Sequence, residues 1–216
     1  WTGVDVNLFN KSSDNIEVLS QSYRIPKSVW RVARTITHRI VDRHIKMFKP
    51  RQEEGKVEYV NYLSEVPLSS GSFTLMARTN GYVSEMANYL RSNGFKYSRN
   101  GKSSLSDDLV GNILTWDTLC QDESVGVQQI KALYSGVKKQ GKDAVVRRGS
   151  TQMLDALAPE DMLDMDTLIK DYGLQRDAST SAYDVLNVSS SERDYIDAIF
   201  RRGEDLLSSP RIKVST

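Results

Sequence analysis

Between Phe73 and Tyr97 the chain reads as strand, turn, helix, glycine and strand, and this unit narrows the available folds more than any other stretch. Phe73-Thr74-Leu75-Met76-Ala77 is a short, mostly apolar run that reads as a buried strand. Arg78-Thr79-Asn80-Gly81 turns the chain, and Val83, Met86, Ala87 and Leu90 then recur at the spacing of an amphipathic helix. Ser92-Asn93-Gly94 stops that helix with the residue best able to adopt a left-handed conformation, and Phe95-Lys96-Tyr97 resumes extended structure. Such a βαβ-like unit belongs in a parallel sheet, where ligands collect beyond the carboxyl ends of the strands. Arg78 and Asn80 occupy that place.

The flanking segments differ in character. Pro26 suits the first turn of a helix, and Val29, Ala33, Ile36, Ile40 and Met47 keep helical spacing until Pro50, which predicts a long helix over 27–48. A short β-type run follows at Val57-Glu58-Tyr59-Val60. From 105 to 207 apolar residues recur almost throughout at helical spacing, and Arg211-Ile212-Lys213-Val214 returns to strand character. The expected architecture is therefore α/β: a partial parallel sheet with flanking helices, interrupted by a mainly α-helical inserted subdomain. Its parts are 1–104, the insertion 105–207 and a return strand in 208–216.

Charge is local rather than global. The 29 Lys+Arg nearly balance the 28 Asp+Glu, which excludes a polybasic or polyacidic tail protein. From Gln21 to Arg51, however, nine basic residues face Asp42 alone, whereas from Thr151 to Pro210 thirteen acids face five bases. Such asymmetry points to a polyanionic partner on one side. A single cysteine, Cys120, allows no internal disulfide and fits a reducing compartment such as the cytoplasm. No apolar run is long enough for a membrane span and no signal-peptide pattern opens the chain, so no membrane partner is expected. Opening on Trp1 and stopping at Val214-Ser215-Thr216, the sequence reads as a piece of something longer.

Several motifs lead nowhere. Gly136-Val137-Lys138-Lys139-Gln140-Gly141-Lys142-Asp143 has the glycine and lysine spacing of a phosphate loop, but Asp143 stands where a magnesium-binding Ser or Thr belongs, and the stretch follows a helical run. With Arg147 and Arg148 it remains a basic loop suited to nonspecific phosphate contact. His38 and His44, six apart, do not share a helix face, and no metal site is expected. Neither a Ser/His/Asp arrangement nor a carboxylate pair follows from spacing.

Four elements in order carry a resemblance. They are Trp1-Thr2-Gly3-Val4-Asp5; Gln21-Ser22-Tyr23-Arg24-Ile25-Pro26 opening a helix; strand-Arg78-Thr79-Asn80-helix; and Ile212-Lys213-Val214-Ser215-Thr216 after an insertion. This order resembles superfamily 1 DNA helicases of the UvrD/Rep type, from the end of motif III through motifs IV and IVa to just before motif V. The resemblance spans 1–100 and 211–216; within 105–210 it is positional only. It implies a partial RecA-like motor domain whose parent hydrolyses ATP with Mg2+, translocates on single-stranded DNA and unwinds duplex DNA. It also implies a first motor domain elsewhere in the parent chain as a partner.

By that resemblance Arg24 is the arginine finger, since a guanidinium stays charged and offers a planar fork to the γ-phosphate. Tyr23 would stack on adenine, and Trp1 on a base of the single strand. Arg78 and Asn80 would contact that strand. Lys138, Lys139, Lys142, Arg147 and Arg148 would contact duplex phosphates from the insertion. Thr2 departs from the arginine common at that position, removing one backbone contact. Residues 1–216 alone are expected to be inactive, because no catalytic glutamate, magnesium ligand or phosphate loop is present. The competing reading is a noncatalytic nucleic-acid-binding or adaptor module retaining a motor-like half domain; a third is a nuclease-helicase fusion.

Overall fold

The computed structural model describes residues 19–41, 47–139, 141 and 143–216. The chain divides into two compact units, 1–66 and 67–216.

In the first unit, helix α1 (Lys27–Thr37) follows Pro26, which stands at the N-cap rather than inside the first turn. Two N–H groups of that turn are satisfied by backbone, Lys27 donating to Glu53 O and Ser28 to Glu54 O. The predicted helix over 27–48 is too long. The Thr35 and Thr37 hydroxyls bond to the Arg31 and Arg34 carbonyls. Arg39 and Ile40 donate to the carbonyls of Ile36 and Thr37 in tight three-residue turns. Trp30, Val32 and Ala33 within the helix are half-buried whereas Ile40 and Val41 are exposed, so no covered apolar stripe continues beyond Thr37. Val57–Val60, predicted as a β-type run, forms no strand; its residues are exposed, and β propensity without a neighbouring strand is insufficient.

The second unit holds a four-stranded mixed sheet of order β1-β6-β2-β3. Strand β1 (Phe73–Met76) and strand β2 (Tyr97–Arg99) both run parallel to β6 (Ile212–Ser215), which lies between them. Phe73 and Tyr97 both register with Ile212. Strand β3 (Lys102–Ser103) pairs antiparallel with β2, so the sheet is not purely parallel as predicted. Its turn is Asn100-Gly101, both left-handed at φ 52° and 77°, the conformation that two-residue hairpins favour. β1 is half-buried and alternating rather than fully buried, because it lies at the sheet edge.

Helix α2 (Asn80–Ser92) connects β1 to β2, with the Thr79 hydroxyl accepting from Tyr82 N at its start. Its apolar stripe Val83, Ala87 and Leu90 is buried as the spacing predicts. Gly94 follows in the left-handed region at φ 69°, and a Cβ there would collide with the backbone carbonyl of Ala198.

Residues 105–207 share this unit with the sheet and are mainly helical. α3 (Asp107–Cys120) and α4 (Val127–Gly136) pack together. A two-residue ribbon joins β4 (Val125–Gly126) to β5 (Met162–Leu163). Shorter helices α5 (Ser150–Met153), α6 (Met165–Asp171) and α7 (Ala182–Val185) precede α8 (Ser190–Arg201). The core here centres on Trp116, Tyr134, Tyr195, Leu119, Ile130 and Leu168. The polar atoms of its large aromatic residues are paired: Trp116 Nε1 donates to Thr180 O at 2.9 Å, and Tyr134 OH to Tyr172 O at 3.1 Å. Tyr195 OH donates to Phe95 O at 2.8 Å and meets Ser104 Oγ at 2.6 Å, tying α8 to the approaches of β2 and β3.

Lys96 joins the sheet to the loop that precedes β6. It is buried, and its ammonium donates to Asp205 O at 3.1 Å, Leu206 O at 2.5 Å and Ser208 O. Burial lowers its pKa, while Asp205, Glu204 and Asp107 act in the opposite sense.

Candidate nucleotide and nucleic-acid sites

The segment carrying Tyr23 and Arg24 is held from both sides by backbone. Gln21 bridges Lys49 in parallel, with Ser22 N donating to Lys49 O at 2.8 Å and Lys49 N to Ser20 O at 2.7 Å. Arg51 N donates to Ile25 O at 3.0 Å. Between these anchors Ser22 Oγ accepts from Arg24 N at 3.3 Å and Ile25 N at 3.1 Å, a serine turn that bends the chain toward solvent. Gln21 Nε2 reinforces the bend through Ser22 O at 3.0 Å and Lys49 O at 3.3 Å.

The result is an open hollow of about 640 Å3 whose lining includes Tyr23, Arg24, Phe48 and Arg51. Tyr23 is 86% exposed. Among the described residues the Arg24 guanidinium makes no ion pair or side-chain hydrogen bond. Phe48 is braced by Trp30, ring centroids 4.5 Å apart. An exposed aromatic face beside an unpaired guanidinium can take a planar heterocycle and a phosphate together. Arg51, given no role by the sequence reading, lines the same hollow and pairs with Glu53. Its signal was only its place in the basic run.

In the second unit, Arg78 and Asn80 lie just past the carboxyl end of β1, both exposed. Ala77 N donates to Ser215 O at 3.1 Å, so the β1–β6 pairing continues to the residue before Arg78. Asn80 is the first residue of α2, its carbonyl accepting from Ser84 Oγ.

The basic residues of the 138–148 stretch are not equivalent. Lys138 Nζ donates to Asp184 O at 2.9 Å and Tyr183 O at 3.5 Å, at the carbonyl-rich end of α7. Lys139, Arg147 and Arg148 are exposed, in a loop pinned by bridges from Val137 to Leu186 and from Val146 to Leu174. Trp1 and Lys142 lie outside the described residues. The phosphate-loop look-alike leaves helix α4 at Gly136, not a strand, so the strand-to-helix context of a phosphate cradle is missing.

Among the described residues no cluster of His, Cys, Asp or Glu could hold a metal, and no helix is long and apolar enough to cross a membrane. Cys120, half-buried at the end of α3, has its thiol pKa raised by burial and then by Asp117, Asp122 and Asp177, which disfavours a reactive thiolate. No family model, curated protein or solved structure matches this chain.

Proposed function

We propose that this chain is part of the second RecA-like motor domain of a superfamily 1 DNA helicase, together with its inserted helical subdomain. The observation that carries the reading is Arg24: anchored backbone on both sides, a guanidinium with no ion-pair partner among the described residues, and Tyr23 exposed beside it. In the parent enzyme ATP and Mg2+ would be held chiefly by the first motor domain, with Arg24 reaching the γ-phosphate and Tyr23 stacking on the base. A guanidinium keeps its full charge and offers a planar fork of donors as charge shifts to the phosphoryl oxygens, and the anchored backbone limits where that fork can reach. Arg78 and Asn80 would meet the single strand at the carboxyl end of β1, the position that open α/β sheets give to ligands. The alternating half-buried sheet, with β6 inserted between β1 and β2, is compatible with this placement.

The test is DNA-stimulated ATP hydrolysis by the full-length protein and by its Arg24→Ala variant. Turnover should fall on the order of 10³-fold with single-stranded DNA binding retained, as for other arginine fingers. Undiminished turnover would remove Arg24 from this role and the motor reading with it.

A further inference from the structure

Helices α2 and α8 leave an open cleft of about 390 Å3 between them. Asn88, Arg91 and Ser92 face it from α2, at the i, i+3, i+4 spacing of one helix face. Ser191, Asp194 and Arg201 face it from α8. The Arg91 guanidinium carbon lies 4.5 Å from the centroid of the Tyr195 ring. That ring is 1% exposed and is fixed through its hydroxyl by Phe95 O and Ser104 Oγ. Arg91 therefore rests on a fixed aromatic platform while lining the cleft.

Among the described residues neither Arg91 nor Arg201 belongs to an ion pair. Arg201 donates Nε to Asp197 O at 3.3 Å, leaving its terminal amino groups available. Glu192 is close enough to feel the Arg91 charge, but its carboxylate is held by Ser189 N at 3.0 Å and Ser189 Oγ at 2.7 Å. The cleft thus offers two guanidiniums, a carboxamide and two hydroxyls against one lining carboxylate, Asp194.

Such a donor set suits an oxyanion, and two guanidinium forks beside hydroxyl and carboxamide donors fit the two unesterified oxygens of a phosphodiester. No aromatic face is open for stacking, since Tyr195 is covered by Arg91, so recognition would be of backbone rather than base. The cleft is also separate from the carboxyl end of β1: Arg91 is eleven residues beyond Asn80 on the same helix, about 16 Å along its axis.

We propose that the α2–α8 cleft binds a phosphate of a single-stranded nucleic-acid backbone, with Arg91 and Arg201 as its charged contacts and Ser191 as a hydroxyl donor. The choice of nucleic acid as the phosphate source rests on the motor reading; the cleft itself uses neither Tyr23 nor Arg24.

The experiment is fluorescence anisotropy of a labelled oligothymidylate titrated with the whole chain at several salt concentrations. Arg91→Ala/Arg201→Ala should weaken binding about tenfold and reduce the salt slope by about 1.4, the contribution of two phosphate contacts on a single strand. Because Arg91 also packs on Tyr195, Ser191→Asp is the decisive variant. It places a carboxylate in the first turn of α8, where the helix dipole tolerates one, so the thermal midpoint should hold while affinity falls severalfold. Wild-type affinity and salt slope in folded Ser191→Asp would overturn the proposal. Binding of inorganic phosphate by calorimetry, with no oligonucleotide binding, would overturn the nucleic-acid assignment and leave a small-oxyanion site. ATP hydrolysis by Arg24→Ala reports on the motor reading and oligonucleotide affinity of Ser191→Asp on the cleft, so the two fail separately.

Discussion

Arg24 and Lys138 show how differently two cations of one chain can be used. Lys138 closes the carbonyl end of a short helix, whereas Arg24 has backbone anchors and no side-chain partner among the described residues. A sequence gives both the same formal charge; only the surrounding acceptors separate them. Glu192 is a third case. As the third residue of α8 it accepts from Ser189 Oγ and Ser189 N, and these bonds hold its carboxyl below the usual carboxylate range. In the unfolded chain that carboxyl takes up its proton first as pH falls. Its contribution to stability is therefore complete above the ordinary carboxylate range and is lost as pH drops through the lowered folded pKa. Glu192→Gln should flatten the acid side of the profile of Tm against pH, measured by circular dichroism from pH 6 down to about pH 3.

At the scale of elements, the β1–α2–β2 unit was legible because each part carries its own local signal: an apolar run, a threonine cap, a helical stripe and a terminal glycine. Gly94 has a second role that no local pattern announces, the close approach of Ala198 from α8. Gly94→Ala should destabilise the protein by about 1–3 kcal/mol from backbone strain alone, more once the collision with Ala198 is included, as read by chemical denaturation. The Asn100-Gly101 hairpin also has a local cause, since Asn-Gly between extended residues is a strong turn signal. α1 failed in the other direction. Its apolar spacing continues past Thr37, but Ile36, Ile40 and Met47 are exposed, so periodicity persisted where burial did not.

At the scale of the molecule, the second unit depends on contacts distant in sequence. β6 completes the sheet between two strands more than a hundred residues before it, and Lys96 ties β2 to the loop of 205–208 that delivers β6. Lys96→Met should leave the Asp205, Leu206 and Ser208 carbonyls without this donor, at a cost of about 1–3 kcal/mol at the buried Leu206 carbonyl. Hydrogen exchange should then rise first at Ile212–Ser215 and the adjoining loop.

The strand–helix–strand order of 73–99, the amphipathic face and the glycine stop of α2 were determined by the sequence itself, because periodicity and turn chemistry act over a few residues. The end of α1, the pairing of β6 with both β1 and β2, the hollow beside Arg24 and the Arg91–Arg201 cleft were decided only by tertiary structure. Each depends on which groups from remote segments arrive as neighbours, and burial, pairing and freedom of a charge are properties of neighbours rather than of position along the chain.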